Sequence, residues 1–332
     1  MRKISVGLAA LGVAASMTLA ACAGTTTPAA SSSGAASASS APAAKPYIAI
    51  VSKGFQHQFW QAVKLGAEQE AAKQNVTITF EGPATESEVE AQMNMLTAAL
   101  QKKPAALGFA ALDSKAAASV LAQYKTANIP VIAFDSGVDS DIPLTTAATD
   151  NLAAAGEAAK HMCELIGGSG TVGVIVHDQT SATGQQRRDG FLKGMEACTG
   201  AKVLEVQYGG GDQAKSADIA KNMLQANPDI KGIFGANEGS AVGALKGIEE
   251  KKMSGKVVLI GFDSGKAQLD AITDGTMAGA ITQNPVGIGY ETVAAAVKAV
   301  KGESVPPLID TGFYYYDKSN IDSPEVAAVL YD

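Results

Sequence analysis

The segment Ile132-Ala133-Phe134-Asp135-Ser136-Gly137 returns almost unchanged as Ile260-Gly261-Phe262-Asp263-Ser264-Gly265. In both copies a short apolar run ends in Asp-Ser-Gly. Such a run, closed by small polar residues that favour turns, is typical of a buried β-strand and the loop that follows it. The recurrence predicts that the chain contains two homologous halves, each with this strand end.

Outward from these two segments, short β-branched runs alternate with longer helical stretches. In the first half we predict strands at 48–51, 76–80, 106–110 and 130–134, and helices at 59–73, 86–101 and 115–126. In the second half we predict strands at 172–176, 203–207, 232–236 and 257–262, and helices at 151–165, 183–197, 216–226 and 239–251. This alternation is typical of βαβ units. The predicted fold is therefore α/β, with two Rossmann-like lobes that each carry a parallel sheet.

The N-terminus has the layout of an export signal. Arg2 and Lys3 precede an apolar stretch at 4–20, and small residues then lead to Cys22. The apolar stretch is too short and too rich in small residues for a membrane span of about 20 apolar residues. Small residues before a cysteine resemble the bacterial lipobox, which implies removal of a signal peptide at 1–21 and lipidation of Cys22. The alternative is an ordinary signal peptide with an incidental cysteine.

The next segment, 22–45, consists almost wholly of Ala, Ser, Thr, Gly and Pro after its first cysteine. It has too little bulky apolar surface to offset the entropy of ordering, so we predict a flexible tether. The body from Pro46 to Asp332 is long enough for two domains with their own cores.

The net charge argues against one class of partner, and the cysteine content bears on disulfide and metal sites. Loss of Arg2 and Lys3 leaves 24 basic against 33 acidic residues, a net charge of −9, which argues against nucleic acid as a partner. Cys163 and Cys198 remain as an even pair in an oxidising compartment, which indicates either one disulfide or two buried free thiols. Neither cysteine has the neighbours of a metal site, so no metal is predicted.

Several short motifs of the body share a resemblance to one family. They are Phe59-Trp60, Ile129-Pro130-Val131-Ile132 before Asp135, Ala148-Thr149-Asp150-Asn151, Asn237-Glu238, Gly261-Phe262-Asp263, and Gln283. With them the chain, from Tyr47 to about Phe313, resembles the type I periplasmic binding proteins, specifically the ribose-binding-protein group that serves sugar ABC importers. The resemblance implies a monomer that binds a small sugar or polyol without a cofactor and delivers it to ABC permease subunits, at the extracytoplasmic face of the cell membrane.

The resemblance also implies a hinge of three segments, with chain crossings near Thr149, Gln283 and Thr311. The N-terminal lobe would comprise 46–149 with 284–312, and the C-terminal lobe 150–283 with 313–332. The lobes would close over ligand by a hinge motion.

Candidate ligand-binding residues lie at or near predicted strand ends, because ligands of open parallel sheets bind beyond the carboxyl ends of the strands. A sugar has hydroxyls that donate and accept and C–H faces that are apolar, so its site needs carboxylates, amides or guanidinium groups beside an aromatic ring. By residue type, position and the resemblance, the candidates are His57, Phe59, Trp60, Asp135, Arg187, Asn237, Asp263 and Gln283. Arg188 is the alternative to Arg187.

Each candidate also has an ordinary structural explanation. Asp135 and Asp263 suit turns or helix N-caps, and Asn237 suits a cap for the helix that follows it. Phe59 and Trp60 open a helix, where aromatic residues are often part of the core. The paired placement of the aspartates, and the resemblance, favour ligand contact.

Three positions depart from the ribose-binding pattern. His57 stands where the family usually has asparagine, Ser136 where ribose binders have arginine, and Gly211 where they have phenylalanine. One clamp and one stacking wall are therefore missing, and the ligand need not be ribose: another pentose, a hexose or a polyol would fit a site so changed.

Other classes of function fit the sequence less well. Gly168-Ser169-Gly170-Thr171-Val172-Gly173 matches GxGxxG but precedes a predicted strand, so we interpret it as a turn and expect no dinucleotide. An exported enzyme would need a nucleophile paired with a base, and no such motif is present. Repressors of the lac-repressor type share the two-lobed body but carry an N-terminal helix-turn-helix, whereas the predicted N-terminal part of this chain is an export signal and a tether. A lipoprotein that senses ligand for a membrane receptor remains an alternative to transport.

Overall fold

A computed structural model describes residues 45–331. The predicted signal peptide, the lipidation site Cys22 and almost all of the predicted tether lie outside the described residues. Within the described range, no helix combines the length and apolar character needed to cross a bilayer.

The N-terminal lobe is built on a six-stranded, all-parallel sheet with strand order β12-β5-β4-β3-β1-β2. The elements up to the first passage between sheets are β1 (Tyr47–Val51), α1 (Gln58–Gln74), β2 (Thr77–Glu81), α2 (Val89–Gln101), β3 (Ala106–Phe109), α3 (Ala118–Thr126), β4 (Val131–Phe134) and β5 (Thr145–Ala148). The chain later returns to this lobe with α9 (Pro285–Val300) and β12 (Leu308–Asp310).

The C-terminal lobe is built on a seven-stranded sheet, with β13-β11-β10-β9-β6-β7 in order and β8 paired to β6. Its elements are α4 (Asn151–Leu165), β6 (Ser169–Val176), α5 (Ala182–Met195), β7 (Gly200–Val203), β8 (Gln207–Tyr208), α6 (Gln213–Ala226), β9 (Ile230–Gly235), α7 (Glu238–Glu250), β10 (Val258–Phe262), α8 (Lys266–Asp274), β11 (Gly279–Gln283), β13 (Phe313–Tyr316) and α10 (Pro324–Ala327). Only β13 runs antiparallel to its neighbour in this described sheet.

Apolar clusters cover both faces of each sheet. In the N-terminal lobe, α1 and α9 pack on one face and α2 and α3 on the other. In the C-terminal lobe, α4 and α5 cover one face while α6, α7 and α8 cover the other. Sheets buried on both faces explain why their strands are nearly continuous apolar runs and not alternating ones. Tyr331 is unusual, because it follows α10 of the C-terminal lobe but packs in the core of the N-terminal lobe.

Three local predictions need correction. The strand predicted at 203–207 is an irregular connection between two short strands, β7 and β8. The helix predicted from Glu86 begins at Val89, which leaves Glu86 in a loop. The GxGxxG match is mostly strand, because β6 begins at Ser169, inside the motif. Gly167 and Gly168 before it have a left-handed backbone, and Gly170 within the strand also has a positive φ, of 120°.

Cys163 and Cys198 form a disulfide, with their Cα atoms 5.8 Å apart. Of the two alternatives left by the sequence, the bonded pair is the one found. The bond joins the last turn of α4 to the residues just after α5, and these two helices pack side by side. Close packing depends on Gly190 of α5, because a Cβ there would lie 2.3 Å from the carbonyl oxygen of Leu152 in α4.

Candidate ligand-binding site

The carboxyl ends of strands from both sheets meet around one cavity. Its walls are Lys53, His57, Phe59, Trp60, Glu86, Asp135, His177, Thr183, Arg187, Asn237, Asp263 and Gln283. All eight candidates from the sequence are among these residues. Lys53, Glu86, His177 and Thr183 were not predicted.

Asp135 and Asp263 occupy equivalent positions in the two lobes. Both have left-handed backbones, with φ of 53° and 80° respectively, a conformation that aspartate tolerates better than most residues. Each backbone N–H donates to the neighbouring strand, Asp135 to Ala147 O at 2.9 Å and Asp263 to Ile281 O at 2.6 Å. The duplicated Asp-Ser-Gly segment therefore places one carboxylate at the strand ends of each sheet.

The two carboxylates differ in their surroundings. Asp263 accepts hydrogen bonds from Gln283 Nε2 at 2.7 Å and from the backbone N–H of Glu238 at 2.9 Å. Asp135 is 5% exposed, and its carboxylate accepts no hydrogen bond from the residues that the structure describes. Burial raises the pKa of Asp135 to about 6, although Lys53 and Arg187 act in the opposite direction.

Arg187 and Arg188 point to different environments. The Arg187 Nε donates to Asn151 Oδ1 at 2.7 Å, its Nη1 donates to Ala236 O at 3.0 Å, and its guanidinium lies 3.7 Å from the centre of the Phe262 ring. Arg188 pairs with Asp189 at the surface. Of the two arginines, Arg187 lines the cavity, held by bonds that leave part of its donor fork available.

A polar cluster that the sequence did not predict closes one side of the cavity. Lys53 Nζ, from the end of β1, donates to Thr183 Oγ1 at 3.2 Å, and His177 Nε2 lies 3.1 Å from the same hydroxyl. Burial, and next the charge of Lys53, lower the pKa of His177 well below its ordinary value, so this imidazole is neutral at physiological pH. The neutral ring keeps one donor and one acceptor nitrogen.

Aromatic rings and a buried glutamate form the opposite wall. Phe59 and Trp60 meet edge to face with ring centres 4.9 Å apart. Trp60 Nε1 donates to Glu86 Oε1 at 2.8 Å, and Asn237 Nδ2 reaches Glu86 Oε2 at 3.5 Å from the other lobe. Burial pushes the pKa of Glu86 upward, but the charge of Lys53, together with His57 and the hydrogen bond from Trp60, holds it below its ordinary value.

The side chain of Asn237 caps a helix, one of the two roles that the sequence allowed, and it also lines the cavity. Its Oδ1 caps α7 by accepting from the backbone N–H of Ser240 at 2.9 Å, while its Nδ2 is left toward the cavity wall. His57 is held by Gln56, whose Nε2 donates to His57 Nε2 at 2.9 Å.

The backbone conformation and the neighbours of Gly211 explain why this position is occupied by glycine. Its φ is +68°, its carbonyl oxygen accepts from Gln56 Nε2 at 3.1 Å, and a Cβ there would lie 3.0 Å from Glu86 Oε2. The space next to this position is thus filled by the polar side chains of Gln56 and Glu86, so the wall here is polar.

Several buried polar atoms of the cavity residues have no hydrogen-bond partner among the described residues: His57 Nδ1, His177 Nδ1 and Gln283 Oε1. Buried polar groups are nearly always paired, so such atoms indicate a place where a bound molecule completes the hydrogen bonding. No cluster of three or more metal-ligating side chains is present within residues 45–331.

The four cavity residues that were not predicted differ in whether the sequence contains a signal that could have identified them. Lys53 and His177 follow the first strand of each lobe, as Asp135 and Asp263 follow a later one, so the same strand-end rule applied to every strand would have included both. Thr183 lies at the start of the helix that carries Arg187. Glu86 comes from an irregular loop and carries no comparable signal.

Residues 48–304 match the family described as periplasmic binding protein domain. The chain therefore belongs to this family, whose members are substrate-binding proteins. The two-lobed fold and the enclosed site between the sheets are in accord with that membership.

Individual relatives are similar over most of the chain. The D-allose-binding periplasmic protein of Escherichia coli is 28% identical over 80% of this chain and 88% of its own length. An ABC transporter solute-binding protein of Agrobacterium vitis, bound with α-D-tagatopyranose, is 32% identical with a TM-score of 0.84, covering 87% of this chain and 100% of that one. A second such protein from the same organism, with bound D-fucose, is 34% identical with a TM-score of 0.84, covering 86% of this chain and 100% of that one.

Proposed function

We propose that this protein captures a small, neutral sugar or polyol in the cavity between its lobes and delivers it to an ABC importer. The observation that carries the proposal is the cavity itself, in which unpaired buried polar atoms from both lobes stand beside two aromatic rings. Relatives of similar length bind monosaccharides, which supports the same class of ligand here.

The polar groups match the chemistry of hydroxyls. Each hydroxyl both donates and accepts, so it can bridge an acceptor such as the Asp135 carboxylate and a donor such as the Arg187 guanidinium. Gln283 Oε1 and His177 Nδ1 provide further partners, and Phe59 and Trp60 offer apolar surface to C–H groups.

The charges that line the cavity favour a neutral ligand. Carboxylates of Glu86, Asp135 and Asp263 are opposed by the cations of Lys53 and Arg187, so the cavity has no excess of positive charge to recognise an acid.

Delivery to a permease requires that the lobes open and close. We propose that they do so at the three predicted crossings, with the lobe limits at 149/150, 283/284 and 312/313. Hydrogen bonds between the lobes, such as Lys53 to Thr183, belong to the closed arrangement. We further propose that the protein acts as a monomer tethered to the membrane through lipidated Cys22 and the 22–45 segment, and that it returns its ligand chemically unchanged.

The first test is a thermal-shift screen followed by calorimetric titration. The panel contains D-allose, D-ribose, D-tagatose, D-fucose and ribitol, with D-glucuronate as a charged contrast. A ligand that binds only the folded protein raises its stability by about 2.7 kcal/mol at a hundredfold excess over its Kd. We expect a one-to-one complex with at least one neutral member, and recovery of that compound unchanged by chromatography. Binding of D-glucuronate alone, or a chemically altered product, would contradict the proposal.

The Asp135→Ala variant tests the site. Removal of the Asp135 carboxylate deprives the ligand of a buried acceptor and should weaken binding of the best panel sugar about 5- to 150-fold, a loss of about 1–3 kcal/mol. Because Asp135 makes no side-chain hydrogen bond within the described residues, the fold should stay intact. Asp139→Ala changes an exposed aspartate of the same loop and should bind as the wild type does. Equal affinity of Asp135→Ala and wild type would reject the assigned site.

A further inference from the structure

Besides hydrogen bonds between loops, such as Ser114 N–H to Thr180 O at 3.0 Å, the contacts between the lobes include two helix starts. Glu238, the first residue of α7, accepts hydrogen bonds from the backbone N–H groups of Gln58 and Phe59 at the start of α1, at 3.2 Å each. In the opposite direction, Gln58 Oε1 accepts from the backbone N–H of Lys266 at the start of α8, at 2.7 Å. Each lobe thus supplies an acceptor to a helix start of the other.

Neither α1 nor α8 has a capping side chain of its own. Their N-cap residues, His57 and Gly265, make no side-chain cap bond, and neither first turn contains an acidic residue. The first N–H groups of a helix have no partner within it, and a carboxylate near them also interacts favourably with the helix dipole. By contrast, α7 is capped within its own lobe by Asn237.

Glu238 is connected to the cavity without lining it. Its backbone N–H donates to Asp263 Oδ2 at 2.9 Å, and its carboxylate holds the N–H of Phe59, whose ring forms part of the wall. Glu238 therefore links the Asp263 carboxylate of the C-terminal lobe to Phe59 in the aromatic wall of the N-terminal lobe.

We propose that Glu238 and Gln58 form a latch between the lobes that sets ligand affinity without touching the ligand. The proposal rests on the proposed sugar-binding function. Opening the lobes separates both acceptors from their N–H groups, so the latch stabilises only the closed arrangement. A ligand that binds the closed arrangement is therefore bound more tightly when the latch is present.

The strength of the latch is limited by burial. Burial raises the pKa of Glu238 despite the lowering effect of His57, so the N–H groups of α1 offset only part of the cost of burying this carboxylate. We therefore expect the latch to change affinity by about tenfold and not by a thousandfold.

The experiment compares Glu238→Ala, Gln58→Ala and the double variant with two matched controls, Glu249→Ala on α7 and Gln61→Ala on α1, both exposed. Affinity for the tightest-binding sugar among D-allose, D-ribose, D-tagatose and D-fucose is measured by calorimetry. Dissociation rates are followed by the fluorescence of Trp60, the only tryptophan of the chain.

The latch predicts that Glu238→Ala raises the Kd about tenfold, mainly through faster dissociation, while stoichiometry and both controls stay as in the wild type. Kd values within twofold of wild type for both latch variants would overturn it. If none of the four sugars binds, the proposed specificity for these sugars is contradicted. The latch is then tested on ligand-free protein, by measuring the radius of gyration with small-angle X-ray scattering. A larger radius of gyration for Glu238→Ala would then support it, and equal radii would overturn it.

Discussion

Two features of Asp135 each cost folding free energy. Its backbone lies in the left-handed region, and its carboxylate is buried without a donor from the described residues. Its equivalent, Asp263, has the same backbone conformation but two hydrogen-bond partners. The duplicated aspartate is thus hydrogen-bonded within the protein in one lobe, and its carboxylate has no such partner among the described residues in the other.

The raised pKa of Asp135 predicts how stability changes with pH. Because its folded pKa of about 6 lies above the ordinary 3.8, the protonated form is favoured by folding, and this stability is lost as pH rises through about 6. Asparagine imitates the protonated form. We expect ligand-free Asp135→Asn to unfold in urea with a free energy up to about 3 kcal/mol above wild type at pH 7, with little difference near pH 4.

The comparison requires only urea titrations of both proteins at pH 4, 5, 6 and 7. Titrating groups that do not interact with Asp135 are common to the two proteins and cancel in the difference. A gap that is the same at every pH would show that the Asp135 carboxylate is not penalised by burial.

At the scale of elements, α4 and α5 show how the C-terminal lobe is held together. The two helices approach closely at Gly190, and the disulfide ties their C-terminal ends by a link between residues 35 apart in sequence. Arg187 projects from α5 and is held by Asn151 from the start of α4. The helix pair therefore also positions a cavity residue.

Removing the disulfide should destabilise the lobe. For a closed loop of this length, the chain-entropy model gives a loss of about 3–4 kcal/mol, so the Cys163→Ser, Cys198→Ser double variant should unfold at lower urea concentration. Reductant should shift the wild type in the same direction and leave the double variant unchanged. Rapid labelling of both thiols in folded, unreduced protein would contradict the bond.

At the scale of the whole molecule, the proposed anchor and the binding body are separate. The cavity, the latch and the disulfide all lie within residues 45–331, while Cys22 precedes them by a segment with no predicted structure. We expect Cys22→Ser to be released from membranes with an unchanged Kd for the best panel sugar. Fractionation of cells that express each form gives the result, and persistent membrane association of the variant would refute the lipid anchor.

The two α/β lobes could be predicted from sequence because the signals that define them are local. The apolar runs, the helical stretches and the repeated Asp-Ser-Gly ends each act over a few residues, and parallel strand ends collect at one edge of a sheet. For this reason Asp135, Asp263 and Asn237 could be selected as strand-end residues from the sequence, whereas Gln283 was selected through the family resemblance.

Only the tertiary structure decided which distant residues meet. Glu86 lies in an irregular loop beyond the reach of periodicity, and it reaches Asn237 of the other lobe across the cavity. Glu238 could be recognised as a helix-start residue, but its carboxylate caps α1 in the opposite lobe and not its own helix. Such pairings depend on how two separately folded lobes face each other, and that arrangement is set by packing and hinge geometry summed over the whole chain, which no local pattern encodes.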